Sequence, residues 1–175
     1  MTTRAEAPAS AGVAAGTSDL SRLFQDGIVA GTLGAATIAL WFLLLDTISG
    51  QPLYTPTVLG TALFRGGAGL ESPHTLPISF DMVLAFTWLH MLVFVVIGGL
   101  ASLLFAQAER RPSLGFGIVL LFVVFEFGFI AVAIVFAETV LKALTMPAIL
   151  VGNLLAAAAM AVYLWRRHPQ LSIEP

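Results

Sequence analysis

The stretch MVLAFTWLHMLVFVVIGGLASLLFA, residues 82–106, decides the fold. It runs for 25 residues without Asp, Glu, Lys or Arg. A helix of that length covers a hydrocarbon layer of about 30 Å at a rise of about 1.5 Å per residue. Its apolar residues are continuous rather than alternating, and an open strand in lipid would leave backbone donors and acceptors unsatisfied, so the segment reads as a transmembrane helix. Three further stretches have the same character, near 27–48, 114–137 and 147–165. The chain is therefore read as all-α, a four-helix transmembrane bundle.

Composition agrees. Of 175 residues, 58% are hydrophobic and 10% charged, with a mean hydropathy of +0.96. Soluble domains carry about 25% charge. A net charge of −2 gives no basic field for nucleic acid. The absence of cysteine excludes disulfides, thiolate metal sites and thiol nucleophiles. Residues 1–26 are rich in Ala, Ser, Thr and Gly and read as a disordered cytoplasmic tail, with residues 166–175 a second tail. The first apolar run starts too late and is too long for the core of a secretory signal.

Cations give the orientation. Arg4, Arg22, Arg110, Arg111, Arg166 and Arg167 fall on one side of the four spans, Arg65 and Lys142 on the other. Positive charge marks the cytoplasmic side, which places both termini inside and the first and third loops outside. Trp41, Tyr163 and Trp165 lie towards helix ends, where interfacial aromatics gather. The second and third loops are short, and only the first, residues 49–81, is long enough for structure of its own. In it TPTVLGTALF reads as a short amphipathic helix capping the outer side, with Tyr54 before it, Thr55 as N-cap and Pro56 at the first helical position. Gly50 and Pro52 turn the chain, and Ser79 or Asp81 is a candidate cap for the second span.

The candidate functional residues are the few polar ones at membrane depth. Gly27, Gly31, Ala35 and Ala39 form a four-spaced stripe for close helix packing, and Asp46 continues roughly that face. Asp46 is read first as a group that hydrogen-bonds the following turn, second as a functional carboxylate. His90, with Thr87 one turn earlier, lies about 12 Å below the outer edge, Glu126 about 15 Å and Asn153 about 8–9 Å, from the helical rise. Ionisable groups at such depth normally face the bundle and find a partner. His90 and Glu126 are thus expected to meet, either as a proton relay or polar ligand site, or as a bond that fixes helix register. Glu138 and Lys142 are read as a surface pair.

His74, His90 and His168 belong to three different levels, which disfavours a bis-histidine haem within one subunit. Haem or quinone remains open as a cofactor, and so does the identity of any metal. The glycine stripe, the long outer loop, the buried histidine and the terminal Trp165-Arg166-Arg167 resemble the small, uncharacterised four-span proteins of bacterial inner membranes. That resemblance implies a multi-pass inner-membrane protein and names no activity. Two functions are carried forward. One is a non-enzymatic accessory or self-associating subunit of a membrane complex, with a membrane-protein partner or a second copy. The other is a small redox or proton-handling protein binding haem, quinone or lipid between its helices.

Overall fold

The computed structural model describes residues 10–70, 76–111 and 145–169, with side chains from residue 20 onward. The span expected at 114–137, with Glu126, and also Glu138, Lys142 and His74, lie outside the described residues. Those described form four helices: α1 (Ser10–Ile48), α2 (Tyr54–Phe64), α3 (Phe80–Arg110) and α4 (Met146–Arg167). Three are long and apolar enough to cross a membrane, over Leu20–Ile48, Phe80–Arg110 and Met146–Arg167.

The helix ends correct the sequence reading. α1 already runs through residues 10–26, which had been read as a tail. Residues 17–26, TSDLSRLFQD, contain no Pro or Gly, and Leu20, Leu23 and Phe24 recur at helical spacing, so nothing there interrupts the helix. α3 likewise continues past residue 106 through Gln-Ala-Glu-Arg, all good helix formers, and stops at the extended Arg111 before Pro112. A helix ends where its backbone chemistry ends, which need not be where the apolar run ends.

Contacts fix the directions. Rising along α1, Gly27 lies against Gly99, and Gly31 against Phe94 and Val95. Over the same rise Asp26 meets Arg167, Gly34 meets Met160 and Trp41 meets Ala148. Partner numbers fall as α1 numbers climb, so α1 is antiparallel to both α3 and α4, which run parallel to each other. α1 is the central helix.

The α1–α3 crossing is backbone on backbone. A Cβ on Gly31 would stand 2.2 Å from the carbonyl oxygen of Phe94, and one on Gly98 would stand 2.2 Å from that of Gly27. Only hydrogen fits there. Against α4 the space is shaped differently: Gly152 leaves room for the Trp41 indole, whose Nε1–H donates to the Ala148 carbonyl at 2.8 Å. Trp41, expected at the interface, instead ties two helices together. The expected stripe also bends. Ala35 is buried but Ala39 is exposed. Steps of four drift by about 40° each on a helix of about 3.6 residues per turn, so the packed face shifts to Ala30, Gly34 and Trp41.

Burial is inverted relative to a water-soluble bundle. Among the described residues the interior is lined mainly by small ones, Ala30, Gly31, Gly34, Ala35, Gly98, Ser102, Gly152 and Ala156, joined by Met160 and Leu164, while Ile48 and Trp88 are 74% and 78% exposed. The outward-facing Thr32, Thr47 and Thr87 each donate the hydroxyl to their own helix's carbonyl four residues back, at 2.8, 2.6 and 2.7 Å. Such back-bonding satisfies a hydroxyl where surrounding hydrocarbon offers no partner.

α2 caps the end of the bundle where α1 finishes. Gly60 sits against the Met82 backbone, and Tyr54, Val58 and Leu70 form a small core with Phe42, Leu76 and Ile149 around it. Its buried face holds Thr55, Thr57 and Thr61, whereas Leu63 and Phe64 are exposed. The buried face thus mixes Tyr54 and Val58 with threonines, and the hydroxyls of Thr55 and Thr57 can be buried because each is hydrogen-bonded.

Candidate functional site

Of the residues singled out at membrane depth, Glu126 lies outside the described ones, and Asp46, His90 and Thr87 do not meet one another. His90, half-buried on α3, stacks on Phe86 at 5.5 Å and meets Phe94 edge-on at 4.8 Å. Thr87 is exposed and bonds Val83 of its own helix. Asn153 is half-buried on α4, beside Gly152. No hydrogen bond joins Asp46, His90 or Thr87 to one another among the described residues, and no three His, Asp or Glu side chains there gather to hold a metal.

Asp46 has a defined task. Both its carboxylate oxygens are taken by Thr55: Oδ2 accepts the backbone N–H at 2.8 Å and Oδ1 accepts the hydroxyl at 2.7 Å. Helix N-termini leave their first N–H groups without intrahelical partners. Here the first turn of α2 is fully satisfied. Tyr54 N–H donates to the Gln51 carbonyl, Thr55 N–H to Asp46, Pro56 has no N–H, and Thr57 N–H donates to the Leu53 carbonyl. The N-cap position is Leu53, in the left-handed region at φ 66°, and it supplies no side-chain bond. Thr55 and Pro56 therefore stand two positions further inside α2 than the sequence suggested. Leucine cannot cap, so the carboxylate nine residues back does. Tyr54 is buried next to this group; burial pushes its phenol above the usual range and the Asp46 carboxylate adds to that.

At the opposite end, where α1 begins and α3 and α4 finish, charged side chains surround a cleft of about 590 Å³. Its charged lining is Arg22 and Asp26 from α1, Glu109 and Arg110 from α3, and Arg167 and His168 from the end of α4. Asp26 is buried, and its Oδ1 accepts from Arg167 Nε at 2.8 Å and from the Tyr163 hydroxyl at 3.1 Å. Glu109 Oε2 lies 2.8 Å from His168 Nδ1. Ser102, fully buried on α3, donates to the carbonyl of Leu23, a lining residue, at 3.0 Å. Both carboxylates are thus engaged. Arg22 and Arg110 pair with no carboxylate among the described residues. His168 is only 8% exposed, and its Nε2 is buried with no hydrogen-bond partner among the described residues.

Sequence reasoning missed this cluster because its partners lie 59 to 141 positions apart. The available signal was topological: antiparallel α1 and α4 bring the start of one span beside the end of the other, where Asp26 and Arg167 stand. Compared with family models, curated proteins and solved structures, the chain matches none.

Proposed function

We propose that this chain is a four-span integral protein of a bacterial inner membrane, with both termini cytoplasmic, serving as a non-enzymatic accessory or self-associating subunit. The observation that carries the membrane reading is the inverted burial, small residues within and large apolar ones without, along three spans. Two further facts support topology. Arg22, Arg110, Arg111, Arg166 and Arg167 gather at one end and Arg65 stands at the other. Arg111 and Thr145 stand at opposite ends of the bundle, which agrees with the four-span reading.

Association is supported by small residues outside the described crossings. Ala36 and Ala39 on α1 and Ala158 on α4 are exposed, and a Cβ on Gly99 would meet nothing within 4 Å. The exposed Ala36, Ala39 and Ala158, unlike Gly99, whose backbone packs on Gly27, form faces that let another helix approach closely. The test is the mass of the protein extracted in mild detergent, together with disulfide trapping of Ala39→Cys in the membrane, where no native cysteine interferes. A homo-oligomeric mass with crosslinked dimers, or a stoichiometric membrane-protein companion, is the expected result. A monodisperse monomer that copurifies with nothing contradicts it.

The second reading, a haem- or quinone-binding redox protein, is favoured by one arrangement: an imidazole flanked by two phenyl rings at His90. A Soret band lost in His90→Ala would establish the haem form.

A further inference from the structure

We propose that the cleft at the end where α1 begins binds a phosphate group, that of an anionic phospholipid headgroup seated between α1, α3 and α4. Four observations converge on it. The cleft is built by three helices rather than by one surface, with a volume of about 590 Å³ that accommodates a phosphodiester and its glycerol. Its carboxylates are already engaged within the wall: Asp26 pairs with Arg167 and accepts from Tyr163, and Glu109 bonds His168. What remains directed to a ligand is positive, the guanidinium groups of Arg22 and Arg110. Guanidinium presents paired N–H donors that match phosphate oxygens, and such bonds are among the strong ones.

The fourth observation is independent of charge. His168 lines the cleft, is more than nine-tenths buried, and has Nε2 without a hydrogen-bond partner among the described residues. A buried ring nitrogen of this kind is costly unless something bonds it. Glu109 Oε2 lies 2.8 Å from the other ring nitrogen, Nδ1, so Nε2 is the ring atom left for a bound group to engage. The cleft also lies at the depth where headgroups reside, beside the exposed Trp165 and the cationic ends of the spans. This last point rests on the membrane reading above, whereas recognition of phosphate by the cleft does not.

Native mass spectrometry of the full chain in detergent tests it, with phosphatidylglycerol and phosphatidylcholine offered in equal amounts and inorganic phosphate as competitor. Wild type is expected to retain the anionic lipid preferentially. Arg22→Gln with Arg110→Gln should weaken retention by about tenfold or more, since each removes a charge-assisted bond. Both arginines are exposed, so folding is little affected, and unchanged thermal stability verifies that. Arg65→Gln, at the other end, is the control that keeps full retention. Displacement by millimolar phosphate shows that the phosphate alone is recognised, and resistance to it shows that the lipid is; either supports the site. Equal retention of both lipids by wild type, or unchanged preference in the double variant, overturns it.

Discussion

The two ends of the bundle use their charges in opposite ways. At the α2 end, Asp46 spends both oxygens on Thr55, nine residues away, and Arg65 with Ser79 holds Asp81 at the start of α3. At the other end, Asp26 and Glu109 are bonded across helices, and around them stands a cleft with two arginines that pair with no carboxylate among the described residues. The first end is a closed joint made of near neighbours in sequence. The second is an open site made of distant ones. Polar groups that complete a backbone leave nothing for a ligand, and polar groups that surround a space do.

The contrast can be broken by substitution. The largest effect is expected at the crossing that both ends depend on: Gly31→Val drives a side chain into the Phe94 backbone and should destabilise by about 3 kcal/mol or more, read by denaturant titration in detergent. Next comes Asp46→Ala, which strips Thr55 N–H and hydroxyl of their buried acceptors, for a loss of about 2 kcal/mol. Asp46→Asn keeps one acceptor and should lose less. Wild-type stability in Asp46→Ala would show that the joint contributes nothing. At the open end, Tyr163→Phe removes one of two bonds to Asp26 and should lose about 1 kcal/mol.

Alkaline pH sharpens the same distinction. The Tyr54 phenol is held above its ordinary value in the folded protein, so its contribution is whole below about pH 10, the unfolded value, and is lost as pH rises through the folded one. Tyr54→Phe should remove that component of alkaline destabilisation. The smallest effect belongs to Arg65→Gln: the Arg65–Asp81 pair at 2.6 Å is solvent-exposed on both sides, and screening leaves it little to contribute. No measurable change in stability is expected.

What was legible in the sequence follows the same division. Long apolar runs announce spans, because the membrane imposes length and composition on a helix whatever its neighbours are. The Asp46 corner was readable as a turn with a hydrogen-bonding carboxylate, since all its parts fall within residues 46–57, but the partner is Thr55 at the start of α2 and not the turn that directly follows Asp46. The cap itself was misassigned to Thr55, because Leu53 adopts a left-handed conformation that leucine rarely takes. The burial of Thr57 was hidden by a hydroxyl that donates to the Leu53 carbonyl of its own turn. At the other end Arg167 was legible only as a topological charge, and Asp26 not at all. Nothing local joins residue 26 to residue 167; only the packing of α1 against α4 does.

The claim that the two ends face opposite sides of a membrane is tested most directly by single cysteines in this cysteine-free chain. Ala68→Cys lies beyond α2, and Gln107→Cys and Pro169→Cys lie beside the cleft, all three exposed. With a membrane-impermeant maleimide in right-side-out vesicles, Ala68→Cys should be labelled at once, and the other two only after the membrane is opened. Equal labelling of all three before opening would contradict it.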